Sequence, residues 1–252
     1  MNAAMRAVRR AGVACVLAVV AASPLAAQAP PPAESLLARH AAAIGGVTSL
    51  NKHTSLRLTG TVAVEPSGMK GTIEILRGKP ALFLQRIRIE DIGELVKGYD
   101  GSVAWVIEMS NPALLTGIDS VVVSTQAEWL HEFLAPAALR GARVDSADFE
   151  GQRAWRATYA SELGLEISAY FARETGLRIG EVFTTGLGET TNLESDYKDF
   201  GGVKLPTTIV NRASGGSVTM TIRDVEFDRL DSAAFALPAA VKALIKSSQR
   251  RP

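Results

Sequence analysis

Residues able to do chemistry are scattered along this chain, and none stands in a spacing that assembles a reaction centre. The three histidines, His40, His53 and His131, form no H-E-x-x-H pair and no other close ligand pair, so nothing signals a zinc site. A serine nucleophile needs a histidine and an orienting acid, and its strongest local signature, G-x-S-x-G, is absent. Ser214 beside Gly215-Gly216 reads instead as a hairpin turn. Gly186-Leu187-Gly188 opens no helix with further glycines, so it fails as a phosphate cradle. Glu74, Asp91, Glu94, Glu108, Glu166, Glu181 and Glu194 all fall on strands or strand ends. Glycoside hydrolysis would need two such acids facing across a cleft. Their positions pair none of them, and solvent-facing strand acids are the simpler account. The expectation is no catalytic residue, no metal and no cofactor.

The elements that carry these residues are mostly strands. From Ser55 to Phe227 the chain alternates apolar and polar positions in short runs separated by turn residues. Ser55–Val64 places Leu56, Leu58, Val62 and Val64 on one face; Lys70–Arg77 aligns Ile73 and Ile75; Ala81–Ile89 aligns Phe83, Gln85, Ile87 and Ile89. Leu95–Tyr99 and Ser102–Ile107 flank Asp100-Gly101, a strong hairpin signal. After Gly141 the runs resume as Ala142–Phe149, Gln152–Ala160, Leu165–Ala172, Leu177–Thr184, Thr190–Asp199, Val203–Arg212 and Ser217–Phe227. Helical spacing is expected at Ala33–Ile44, stopped by Gly45-Gly46, at Thr125–Leu139 with an apolar stripe of Trp129, Leu130, Phe133 and Leu134, and at Pro238–Lys246. Short connections between successive strands fit an antiparallel meander and exclude βαβ crossovers.

The N-terminus reads as an export signal. Arg6, Arg9 and Arg10 precede the apolar run Ala11–Ala22, and small residues through Ala29 place cleavage after Ala27 or Ala29. The run is shorter than the roughly 20 apolar residues of a membrane span, although an uncleaved anchor is the other reading. Residues 1–28 are thus expected to be a signal peptide and 29–252 a single domain. Cys15, the sole cysteine, lies within the signal, leaving a mature chain without disulfide or thiol chemistry. Losing three arginines takes Lys+Arg from 27 to 24 against 26 Asp+Glu, so no basic field favours nucleic acid.

A sheet this wide exposes more apolar face than a few helices cover. The candidate wall of an apolar cavity comprises Leu58, Val62, Ile73, Ile75, Phe83, Ile87, Trp105, Trp155, Phe171 and Phe183, with Trp129 and Phe133 on the helical lid. Ordinary core filling is the competing account of the same residues.

Several segments carry a family likeness: Ala43-Ile44-Gly45-Gly46 followed by Ser55-Leu56-Arg57-Leu58-Thr59-Gly60; Gly98-Tyr99-Asp100-Gly101-Ser102-Val103-Ala104-Trp105; Tyr170-Phe171-Ala172-Arg173-Glu174-Thr175-Gly176-Leu177; Asp196-Tyr197-Lys198-Asp199-Phe200-Gly201-Gly202-Val203-Lys204-Leu205-Pro206; and Phe235-Ala236-Leu237-Pro238. In these the chain resembles the LolA/LolB-like superfamily of periplasmic lipoprotein carriers. The resemblance implies a mainly β (α+β) fold, an open, half-closed antiparallel β-barrel covered on its concave side by a few helices. The strand train counts to about 10–12 strands. The resemblance also implies reversible binding of acyl chains between sheet and helices; its motifs are turn and strand-end signatures and transfer no binding residue. The leading expectation is a non-enzymatic periplasmic carrier for a lipid or acylated lipoprotein, monomeric and able to touch a membrane peripherally. A scaffold module with a filled core, binding an envelope protein, is the alternative. A hydrolase or isomerase using Glu108, Glu166 and Glu181 comes third.

Overall fold

A computed structural model describes residues 29–127, 141–160, 166–185 and 188–248. Thirteen strands form one antiparallel sheet, and two more form a separate hairpin. The first meander runs β1 (Ser55–Glu65), β2 (Met69–Gly78), β3 (Leu82–Ile89), β4 (Gly93–Tyr99), β5 (Ala104–Glu108) and β6 (Asn111–Leu114). The second runs β7 (Arg143–Phe149), β8 (Gln152–Ala160), β9 (Glu166–Ala172), β10 (Arg178–Thr185) and β11 (Gly188–Ser195), then β14 (Thr208–Ala213) and β15 (Gly216–Phe227). The small hairpin, β12 (Lys198–Asp199) and β13 (Lys204–Leu205), interrupts it. The meanders join where β1 pairs with β15, so the first and last strands lie side by side within the sheet and β6 and β7 form its edges. The sheet is therefore open rather than closed on itself.

Helices α1 (Ala33–Ala43), α2 (Val47–Lys52) and α3 (Gly117–Ala127) lie on one face, here called inner. Ala33, Leu36, His40 and Ala41 form the buried stripe of α1, and Leu36 packs on Trp155, Ala157, Ala169 and Phe171 of β8 and β9. Gly45 ends the helix at φ +112°, and any Cβ there would stand 1.9 Å from the Gly202 carbonyl oxygen. That close approach lets Lys204 N–H donate to Ile44 O at 2.9 Å, tying α1 to the hairpin. Ile44, Leu50, Leu56, Val203 and Leu205 then bury together over the middle of the sheet. On the outer face a 3-10 turn (Ser232–Phe235) and α4 (Ala239–Ser248) cover one end, where Phe235 and Val241 meet Leu76, Leu84 and Trp105.

Most expected strands appear within two residues of their predicted bounds. The strand expected over Val203–Arg212 divides into β13 and β14, and Thr190–Asp199 divides into β11 and β12. Neither the helix α2 nor the strand β6 was anticipated. The Asp100 hairpin is four residues long, not two: the Asp100 carboxylate accepts from the N–H groups of Ser102 and Val103 and from the Ser102 hydroxyl, which removes Ser102 from the ladder. The helix expected at Thr125–Leu139 starts earlier, at Gly117, and residues 128–140 lie outside the described residues, with Trp129 and Phe133 among them. Among the described residues no helix is long and apolar enough to cross a membrane.

Candidate functional site

Strand register brings six of the expected wall residues together. Leu58 faces Ile75, Ile73 faces Ile87, and Val62 follows on the same face of β1. Val62, Ile73, Ile75 and Phe83 bury with Ala104 beneath Val123 and Ala127 of α3. Leu58, Ile87, Ile89, Leu115 and Met220 surround this nucleus and remain partly exposed. The helix contributes only two small or branched buried side chains, so the wall extends beyond its lid.

Two cations share that wall. Arg77 follows Ile73 and Ile75 in phase on β2 and is only 4% exposed. Lys97 lies between Leu95 and Tyr99 in phase on β4, opposite Gln85. The Arg77 guanidinium stands 5.8 Å and the Lys97 ammonium 6.0 Å from the centre of the Phe83 ring. Burial, and then the charge of Arg77, push the Lys97 pKa down. Neither residue figured among the expected wall residues; the available signal was their phase, i+2 from apolar neighbours of the same strand.

Trp155 and Phe171 face the same side of the sheet but belong to the second meander. They pair directly across β8 and β9 and bury under α1, with Arg173 stacked 3.8 Å above the Trp155 ring. Phe183 is half-buried farther along β10, opposite Ile167 and Thr190. Trp105 is a correction. It pairs with Gly98, whereas Phe83 pairs with Tyr99 and Tyr99 with Ala104, so Trp105 occupies the outer face. There it is 1% exposed within the α4 core and forms no part of a wall with Phe83.

The acids separate in the same way. Glu108 and Glu166 are exposed. Glu194 instead takes a forked pair from Arg178, at 3.0 and 2.5 Å, and the Tyr197 hydroxyl donates to it at 2.9 Å. Glu181 accepts from Asn192, which accepts in turn from Asn211. Burial alone would lower the Arg178 pKa, but Glu194 and Glu181 outweigh it and hold the guanidinium charged. Burial and the Glu181 charge lift Tyr159 to about 12. Both inner carboxylates therefore belong to one polar network around the Arg178 guanidinium. His40 sits beside this network, buried against Phe171, and burial followed by the charge of Arg178 lowers it to about 4. His53 stacks on Phe227 and meets Asp228 at 2.7 Å. Burial acts to raise the Asp228 carboxyl, yet hydrogen bonds from Thr54, His53 and Ser55 prevail and hold it at about 2.

The outer face over β1–β3 is polar. It carries an open groove of about 430 Å³ lined by Arg57, Thr61, Thr72, Glu74, Arg86 and Arg223, among others. Arg57 and Arg86 both bind Glu74, at 2.8 and 2.5 Å, so the groove's central charges satisfy one another.

No protein-family model and no curated protein matches the sequence. Solved structures do match the fold. A LolA superfamily protein from Nitrosomonas europaea superposes with a TM-score of 0.56 at 13% identity, covering 82% of this chain and 98% of that one. A DUF1329 family protein from Desulfovibrio piger gives 0.56 at 10% identity, covering 81% and 97%. A Vibrio parahaemolyticus domain assigned as an outer membrane lipoprotein-sorting protein gives 0.51 at 12% identity, covering 85% and 99%. Nearly the whole of each relative is matched by an open antiparallel sheet bearing helices on its inner face, and the chain therefore has the LolA-like fold.

Proposed function

We propose that this protein is a non-enzymatic carrier or binding protein for lipid or lipoprotein acyl chains, working as a monomer in the bacterial periplasm. On this reading residues 1–28 are a cleaved export signal and 29–252 a single LolA-like domain. The observation that carries it is the inner apolar wall of β1–β5, which continues past the two buried side chains of α3. An acyl chain laid on Leu58, Ile87 and Met220 would gain about 0.8 kcal/mol for each methylene it buries, enough for useful affinity without polar chemistry. Trp129 and Phe133 are proposed as further lid residues, and Trp155, Phe171 and Phe183 as the extension of the wall along the second meander.

Native mass spectrometry of the purified mature chain, followed by titration with a fluorescent fatty acid, tests the reading. A co-purified lipid or a saturable isotherm is the expected result; absence of both would sink it. A second reading has its own support. Among the described residues strands β6 and β7 each pair on one side only, and a partner protein of the envelope could add a strand to such an edge. It predicts a monomer that takes up no fatty acid.

A further inference from the structure

The described charged side chains are unequally distributed over the two halves of the inner face. In the second meander Arg178 is matched by Glu194 and flanked by Glu181. In the first meander, between β1 and β5, the inner-facing charged residues are Arg77, Lys97 and Glu108. Glu108 is exposed at the strand end, and Asp119, the acid of the α3 first turn, is exposed as well. Among the described residues no carboxylate lies within ion-pair distance of Lys97. Its ammonium is held instead over the Phe83 ring, amid the apolar wall and beside a second cation.

A cation withdrawn from water needs an anion or a strong acceptor to offset its desolvation. Ring-face contact with Phe83 supplies part of that, and the nearby guanidinium works against it. An apolar surface that carries such a cation at its margin is complementary to a molecule with a hydrocarbon chain and one negative head. Resting on the carrier reading above, we infer that the ligand class is an anionic amphiphile, with its chain on Ile75, Phe83 and Ile87 and its carboxylate or phosphate at Lys97. Charge-assisted hydrogen bonds from the half-buried ammonium would then select anionic over neutral amphiphiles.

The test is displacement of Nile red, an uncharged fluorophore, from the purified mature chain by oleate and by oleyl alcohol. These share a hydrocarbon chain and differ in the head. Wild-type protein is expected to bind oleate at least about tenfold more tightly than the alcohol, the gain of a hydrogen bond to a charged group. Lys97→Met should abolish that preference, and Lys97→Arg should keep it. Equal affinity for both probes in wild type, or a preference untouched by Lys97→Met, overturns the head-group assignment and leaves the carrier reading standing. Failure of wild type to bind either probe overturns both. Oleyl phosphate in place of oleate separates the two anionic heads: tighter binding assigns a phosphate ligand, weaker binding a carboxylate.

Discussion

Gly98→Ala is expected to be strongly destabilising. An added Cβ would stand 2.6 Å from Cζ2 and 2.8 Å from Cε2 of Trp105, and 3.0 Å from the Phe83 carbonyl oxygen. Ordinary carbon contacts lie about 3.5–4.0 Å apart, so the indole would have to retreat by roughly 1 Å. It has nowhere to go, because it is 1% exposed and enclosed by Leu76, Leu84, Phe235 and Val241. The cost should fall at the upper end of the range for overpacked cores, about 3 kcal/mol. For a chain of this size that corresponds to a drop in Tm of about 6–12 °C. Thermal unfolding followed by calorimetry measures it, and Trp105→Leu supplies the control. In the Trp105→Leu background the same glycine change should cost less than about 1 kcal/mol, because the ring that it strikes is gone. Equal penalties in the two backgrounds would refute the outer-face placement of Trp105 against Gly98.

Three further outcomes follow from the inner face. Leu58→Asn together with Ile87→Asn should weaken fatty-acid binding by at least about tenfold, whereas Trp105→Leu should leave affinity unchanged; fluorescence titration separates them. Glu194→Gln strands the Arg178 charge and should cost about 3 kcal/mol in urea unfolding, with Tyr197→Phe costing about 1 kcal/mol. His40, at about 4 when folded against an ordinary 6.5, resists protonation that the unfolded chain accepts. Its contribution is therefore complete above pH 6.5 and is lost as pH falls from there toward 4, by up to about 3 kcal/mol. His40→Gln should flatten the unfolding midpoint across that window.

The strands were legible because one side of each is apolar, and period-2 alternation survives whatever the strand packs against. Short features were not. The helix α2, six residues of Val-Thr-Ser-Leu-Asn-Lys, buries only Leu50, too little for a periodic signal. Strand β6 is four residues containing Pro112, and it is tolerated because β6 is the sheet edge, with a ladder partner on one side alone. The division of the last expected strands comes from the β12–β13 hairpin, which folds back to meet Ile44 through a contact distant in sequence. The inner acids were illegible for a related reason. Alternation shows that Asn192 and Glu194 share a face of β11, but only the pairing of β10 with β11 brings Asn192 against Glu181.

The misplacement of Trp105 has a geometric cause. Phe83, Trp105, Trp155, Phe171 and Phe183 all occupy odd positions, which suggests one common face. In an antiparallel hairpin an odd number of loop residues pairs odd with odd, and an even number pairs odd with even. The loop between β3 and β4 has three residues, so Phe83 faces Tyr99. The loop between β4 and β5 has four, fixed by the Asp100 carboxylate, so Tyr99 faces Ala104 and the inner face passes to even positions. Trp105 is thereby turned outward into the α4 core. The same rule puts Arg77 and Lys97 inward, since three-residue connections join β2 to β3 and β3 to β4. A slip of β5 by one residue against β4, with the four-residue Asp100 loop kept, would exchange the faces of β5, driving Trp105 onto the Phe83 wall. A deletion of Ala104, which keeps the Asp100 loop and puts Trp105 opposite Tyr99, should therefore release the outer core around Val241 and block the inner wall together, so stability and fatty-acid binding should fall in the same variant; loss of stability with binding intact would contradict the register that places the cations inside.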